Sequence, residues 1–261
     1  MMDLWLVVLI VIIPVVIAGL IIHRQRRRVD QLEQLLAHSH DKLESLQRNF
    51  GRFTPEEVIE HLTDPEGSYA PNMREVTVLF ADLQEFTQMC SHLEPAQIIS
   101  ILNGYFRAMN AVISKHHGQV TEILGDGLLA LFGALRNNPW QTKDAVLAAL
   151  EMREALTRYN KELLARDLPQ LKFGIGIHQG EVLAAVMGDF ELSKFGVVGD
   201  TINVAARIEG LTRMHNVDIL ISHDVASTLD DRFVLNEMPP VPIKGKNKDI
   251  VTFQVVSKST Q

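Results

Sequence analysis

The chain has 261 residues, 46% of them hydrophobic and 22% charged, and its 25 basic against 32 acidic residues leave a net charge of −7. That composition excludes a disordered or collagen-like chain, and the acidic balance argues against a general nucleic-acid binder. Cys90 is the only cysteine, which excludes an intrachain disulfide and a cysteine-built metal cluster and fits a reducing compartment.

Residues 4–22 carry no charge and no strongly polar side chain. As a helix the run spans about 28 Å, close to the hydrocarbon thickness of a bilayer. A cleaved signal peptide has a shorter apolar stretch followed by small residues; here His23, Arg24, Gln25, Arg26, Arg27 and Arg28 follow. The run therefore reads as a retained transmembrane helix, and residues 1–28 as a membrane anchor with a basic flank. Four arginines after the span, against Asp3 before it, place the rest of the chain in the cytoplasm, giving a single-pass protein of the cytoplasmic (inner) membrane. From Val29 to Phe50, Val29, Leu32, Leu36, Leu43, Leu46 and Phe50 follow a 3-4 spacing with Ser39 filling one step. This seam over residues 29–50 predicts a short parallel coiled coil, although a single amphipathic helix lying on a domain has the same pattern. Thr54-Pro55-Glu56-Glu57 then starts a short helix to about Leu62, and Pro65, Gly67 and Pro71 mark a linker that completes residues 51–73.

Residues 71–257 alternate β-rich runs with helical patterns, the signature of an α+β or α/β domain. Val76 to Ala81 is a strand. A helix starts near Pro95 and carries Ile98, Ile99, Leu102, Phe106, Met109 and Ile113. Gln119 to Leu124 and Leu128 to Phe132 flank Gly125-Asp126-Gly127 and form a hairpin. A second helix covers about Thr142 to Ala165, and Leu171 to His178 is the next strand. This is the ferredoxin-like βαββαβ order. It brings Asp82, ending the first strand, towards Asp126 in the hairpin turn, and two carboxylates at neighbouring strand ends suit hard divalent cations. The loop Leu83-Gln84-Glu85-Phe86-Thr87 precedes a helical segment and is placed to offer backbone N–H groups to a phosphate, but it lacks Walker-type glycines. Phe173-Gly174-Ile175-Gly176 fails the dinucleotide fingerprint, because the next glycine is Gly180. Farther on, the chain passes from a strand through Gly199 into a helix with Asn203 and Arg207 on one face. Ile243-Lys244-Gly245-Lys246 is a basic turn before a final strand, Ile250 to Val255. His178 reads as a packed residue, His116-His117 as a cation at a helix end, and Cys90 as a small helix-entry residue.

Taken together, VTVLFADLQEFT, ILGDGLLALFG, VVGDTINVAARIE and IKGK, in that order, resemble the catalytic domain of the class III adenylate/guanylate cyclases over residues 74–256. The resemblance implies a ferredoxin-like core in a head-to-tail homodimer with shared active sites at the interface. Asp82 and Asp126, with the Leu83 carbonyl, would hold two divalent cations, Mg²⁺ or Mn²⁺. The backbone near Phe86 and Thr87 would face the triphosphate. From the second protomer, Asn203 would orient the ribose, Arg207 would stabilise charge on the α-phosphate, and Lys244 would bind the outer phosphates. The substrate would be ATP or GTP, and the products a 3′,5′-cyclic purine monophosphate and pyrophosphate. Three residues before Gly125, where adenylyl cyclases usually have lysine, stands Glu122, which accepts hydrogen bonds from guanine. Gly196, three before Gly199, replaces the usual Asp or Thr, or the cysteine of guanylyl cyclases. The base therefore stays open. Asp218 stands where some relatives have an arginine. The alternative function is a catalytically silent nucleotide-binding or dimerisation module, motivated by Glu122 and Gly196. A polymerase-type palm or diguanylate cyclase shares the core but leaves the NVAAR and KGK segments unexplained.

Overall fold

Eight strands and five helices follow one another in the computed structural model, which describes residues 71–135, 138–188, 193–241 and 250–259. The expected membrane helix, the coiled coil, the short helix after it and Lys244 lie outside the described residues. Among the described residues, no helix is long and apolar enough to cross a membrane.

β1 (Asn72–Leu83), α1 (Phe86–Cys90), α2 (Pro95–Lys115), β2 (Gly118–Leu124), β3 (Gly127–Phe132), α3 (Gln141–Leu164) and β4 (Phe173–Gly188) form the first part. They are followed by β5 (Ser193–Val198), α4 (Asp200–His215), β6 (Ile219–Ser222), α5 (His223–Ala226), β7 (Phe233–Glu237) and β8 (Thr252–Lys258). The sheet runs β2-β3-β1-β4-β6-β8-β7, with β5 paired to β4. Its first four strands have the ferredoxin-like order and are antiparallel neighbours, as the strand-helix-hairpin-helix-strand pattern predicts.

β1 is central and reads as a nearly continuous apolar run because both of its faces are covered. Leu79, Ala81 and Leu83 join Ile175, Ile177, Ile219 and Ile221 against α2 and α3. The opposite face of β4 carries α4. Pro95 opens α2, and a reciprocal Glu94/Gln97 capping box satisfies its first donors. The buried stripe of α2 is Ile101, Tyr105, Met109, Val112 and Ile113, while Ile99 is exposed. Leu102 and Phe106 pack against the core from the edge of this stripe, while Tyr105, which the apolar spacing did not include, is fully buried at its centre. α3 lies close to α2: the Tyr159 hydroxyl donates to the Ile101 carbonyl at 3.0 Å across Gly104, where a Cβ would strike the Tyr159 ring.

Four expected boundaries move. β1 begins at Asn72, inside the expected linker. β4 runs ten residues past His178, to Gly188, because it is held by β1 on one side and β5 on the other rather than by its own apolar pattern. The final strand is Thr252–Lys258, with Ile250 making an isolated bridge to Val241. Cys90 closes α1 instead of opening a helix, and it packs against the core. His178 is packed as expected, its Nδ1 2.9 Å from the Ser222 hydroxyl. His116 caps α2 and pairs with Glu151 at 2.8 Å.

Arg153 on α3 binds both oxygens of Asp218, at 2.5 and 2.8 Å, and donates to the Val255 and Val256 carbonyls. One guanidinium thereby clamps α3, the entry to β6 and β8 together. Both side chains are about a third exposed, so the ion pair itself is partly screened. Arg153→Ala is expected to cost about 1–3 kcal/mol through the lost charge-assisted bonds. The check is a lower urea midpoint at an unchanged denaturant slope.

Candidate active site

Asp82 lies one residue before the end of β1, opposite Gly174 of β4. The β2–β3 turn sits beside it: Gly125 takes φ +68°, a left-handed backbone that glycine adopts at no steric cost, and Asp126 follows. Gly127 then closes the gap, since a Cβ there would stand 3.0 Å from Asp82 Oδ1 and 3.2 Å from the Ala81 carbonyl. The G-D-G turn is therefore what lets the two carboxylates approach. Burial pushes the Asp126 carboxyl above its ordinary range, and the negative charge of Asp82 pushes it further.

Beneath the pair lies a buried polar layer that the sequence did not reveal. Glu209 on α4 is only 4% exposed, and its carboxyl is pushed up to about 7, chiefly by burial, with the Arg213 cation pulling the other way. The phenol of Tyr105 is raised by burial and by the charges of Asp82, Asp126 and Glu209. Glu209 Oε1, Tyr105 Oη and Thr212 Oγ1 are buried with no hydrogen-bond partner among the described residues. Arg213, on the next turn of α4, donates to Asp82 Oδ2 at 2.7 Å and reaches the Leu83 carbonyl at 3.4 Å. Its Nη1 stands 3.6 Å from Glu209 Oε1. The i, i+4 spacing of Glu209 and Arg213 was visible in the sequence, but nothing local pointed either of them at Asp82.

α4 reaches this place because β4 offers it a glycine bed. Gly174, Gly176 and Gly180 share one face at period two, and a Cβ at each would run into Thr212 and Glu209, into the α4 backbone, and into Thr201 respectively. The glycines that fail as a dinucleotide loop thus serve as the floor for a helix. Asn203 and Arg207 share the exposed face of α4, as their spacing predicted. Arg207 lies about 120° around the helix from Arg213, so the face that meets Asp82 is not the face that carries Asn203 and Arg207.

The remaining expected residues fall as follows. Leu83 is buried with its carbonyl at the site, and Glu85, just before α1, adopts φ 58°. Phe86 is in the core, so only its backbone is on offer, while Thr87 is exposed. Glu122 on β2 pairs with Leu129 beside a register shift, and Gly196 on β5 is buried opposite Ala185. In sheet order β3, β1 and β4 lie between those two strands. Asp218 is engaged by Arg153.

The donor set fits a hard divalent cation. It is all oxygen, two carboxylates and a main-chain carbonyl, and the carboxylates repel one another. Among the described residues no group of three or more His, Cys, Asp and Glu converges. One or two carboxylates completed by phosphate oxygens and water is how Mg²⁺ is usually held.

The catalytic-domain profile of the adenylate and guanylate cyclases matches residues 68–257. An adenylate cyclase of Anabaena cylindrica is 33% identical over 239 residues, covering 87% of this chain and 46% of that protein. The crystal structure of the guanylyl cyclase Cya2 superposes with a TM-score of 0.68 at 34% identity, over 72% of this chain and 95% of that one. The adenylyl cyclase CyaB from P. aeruginosa, at 23% identity and a TM-score of 0.67, shares the fold over 72% of this chain and 97% of that one. The chain spans less than half the length of the curated relatives first matched, 46% and 31%. With the profile covering both carboxylates, the glycine bed and the α4 helix, the chain belongs to the adenylate and guanylate cyclase catalytic-domain family.

Proposed function

We propose that this chain is a membrane-anchored purine nucleotide cyclase, converting ATP or GTP to cyclic AMP or cyclic GMP and pyrophosphate at sites shared across a homodimer. The observation that carries the reading is the Asp82–Asp126 pair at the β1 end and the G-D-G turn, with Asn203 and Arg207 displayed on another, exposed face of α4. That arrangement suits a site completed by a second copy, since one chain's Arg207 does not face its own carboxylates.

Asp82, Asp126 and the Leu83 carbonyl would hold two divalent ions, Mg²⁺ or Mn²⁺. When bound, these supply the Lewis acidity that lets the substrate 3′-hydroxyl attack the α-phosphate and neutralise the leaving pyrophosphate. Backbone N–H groups at Phe86 and Thr87 would orient the triphosphate, and Lys244 would grip its outer oxygens. Asn203 from the partner protomer would fix the ribose, and Arg207 would meet the negative charge that grows on the α-phosphate. Glu122 and Gly196 would border the base. Residues 4–22 would anchor the chain in the cytoplasmic membrane and residues 29–50 would hold two copies parallel, raising the local concentration of catalytic domains.

Relatives with adenylate cyclase in their names favour ATP. The 34% identical structure is named a guanylyl cyclase, and the chemistry of Glu122, which accepts hydrogen bonds from guanine N1–H and its 2-amino group, agrees with that name. Side-by-side turnover of both nucleotides with Mg²⁺ or Mn²⁺, with products resolved by mass, tests the proposal. Cyclic GMP in excess is expected if Glu122 reads the base; cyclic AMP in excess would remove Glu122 from it. A folded dimer that binds nucleotide with metal and releases no pyrophosphate would establish the silent module instead.

A further inference from the structure

Resting on the reading of Asp82 and Asp126 as cation ligands, we propose that Arg213 is a resident countercation for that pair, which a divalent ion must displace, so that Arg213 sets the metal affinity of the site. Its guanidinium donates to Asp82 Oδ2 at 2.7 Å and approaches the Leu83 carbonyl at 3.4 Å. These oxygens belong to two of the three groups proposed to hold the metal. A guanidinium and a divalent ion cannot both occupy them, because two like charges a few ångströms apart repel strongly in a partly buried site.

A displaced Arg213 has a second place to go. Glu209 stands one helical turn earlier, its Oε1 is 3.6 Å from Arg213 Nη1, and that oxygen is buried without a hydrogen-bond partner among the described residues. The side chain thus lies between two carboxylates, bonded to one and within reach of the other. Rotation of the long Arg stem exchanges them with no movement of the helix axis. Metal at Asp82 and guanidinium at Glu209 is one state; guanidinium at Asp82 is the other. By linkage, whatever Arg213 contributes to the metal-free state opposes metal binding by the same amount. A strut that merely ties α4 to β1 predicts no such opposition.

The test is a Mn²⁺ titration of the 261-residue chain in detergent without nucleotide, with free Mn²⁺ read by EPR, in parallel with thermal melting. Arg213→Met is expected to bind Mn²⁺ about tenfold tighter, the modest end for a charge-assisted hydrogen bond at a half-exposed side chain. Without metal it melts lower than wild type, and Mn²⁺ raises its melting temperature by more. Arg213→Lys, a point charge lacking the planar fork, falls between the two. If Asp82→Asn leaves Mn²⁺ binding unchanged, or neither wild type nor Arg213→Met binds any, the cation reading of the site fails. If Asp82→Asn abolishes binding while Arg213→Met binds no tighter than wild type, the countercation proposal fails and the metal site stands. If Arg213→Met does not fold, Arg213→Lys decides: affinity no higher than wild type overturns the proposal.

Discussion

Asp82→Asn and Arg207→Ala are each expected to fold, to dimerise and to lose about a thousandfold or more in turnover, and co-expression of the two is expected to restore about a quarter of wild-type activity. The first loss would follow from removing one of the two charges proposed to hold the cations, the second from leaving developing charge on the α-phosphate without the arginine proposed to meet it. The quarter follows from symmetry. Random pairing makes half the dimers mixed, and in a mixed dimer one site carries both defects while the other carries neither. The outcome depends on Asp82 and Arg207 acting in different chains, as suits α4 presenting Arg207 about 120° away from the face that meets Asp82. Size-exclusion chromatography and circular dichroism are the checks that both variants remain intact dimers. Co-expressed dimers as inactive as either parent would show that the working carboxylates and arginine belong to one chain, and the shared-site geometry would be abandoned.

The second large effect is expected at Gly176, which faces the backbone of α4. A Cβ there would stand 2.8 Å from Glu209 Cα and closer still to the Glu209 nitrogen and the Ala205 oxygen. These are backbone atoms of α4, so no side chain can rotate away and the helix itself must lift from β4. Gly176→Ala is expected to cost about 3 kcal/mol or more, the scale of overpacking a close-packed core. For a domain of this size that lowers the melting temperature by roughly 10 °C. Because α4 carries Asn203, Arg207, Glu209 and Arg213, turnover per folded molecule should fall as well. Gly210→Ala is the control, since nothing lies within 4 Å of a Cβ at that helical position. Equal melting temperatures for Gly176→Ala and wild type would mean that α4 does not rest on β4 as closely as described.

Much of this architecture was legible in linear form. The strand, helix, hairpin, helix, strand order emerged because β1 and β3 carry continuous apolar runs, and because the Pro95 start and the Gly125-Asp126-Gly127 turn are local signals. The pairing of Asp82 with Asp126 followed from that order alone. The spacing of Asn203 and Arg207 likewise placed both on one helix face, where they are.

The rest depended on neighbours far away in the chain. The length of β4 could not be read, because residues 179–188 are held by cross-strand partners and not by an alternation of their own. The burial of Tyr105 on α2 could not be read either, because its ring and hydroxyl carry opposite preferences until a core is present to choose between them. Gly174 and Gly176 looked like a failed nucleotide motif and are instead room for a helix. Arg213 is the clearest case. Its charge, its place near a helix end and its i, i+4 partner are all local facts, and they describe an ordinary solvated arginine. Residue patterns of period two and 3.6, caps and turns act over a few bonds, and they set the order of elements and the two carboxylates. Packing α4 across β4 brings Arg213 to Asp82, 131 positions away in the chain, and it alone put a guanidinium on Asp82 with the buried Glu209 carboxylate beside it.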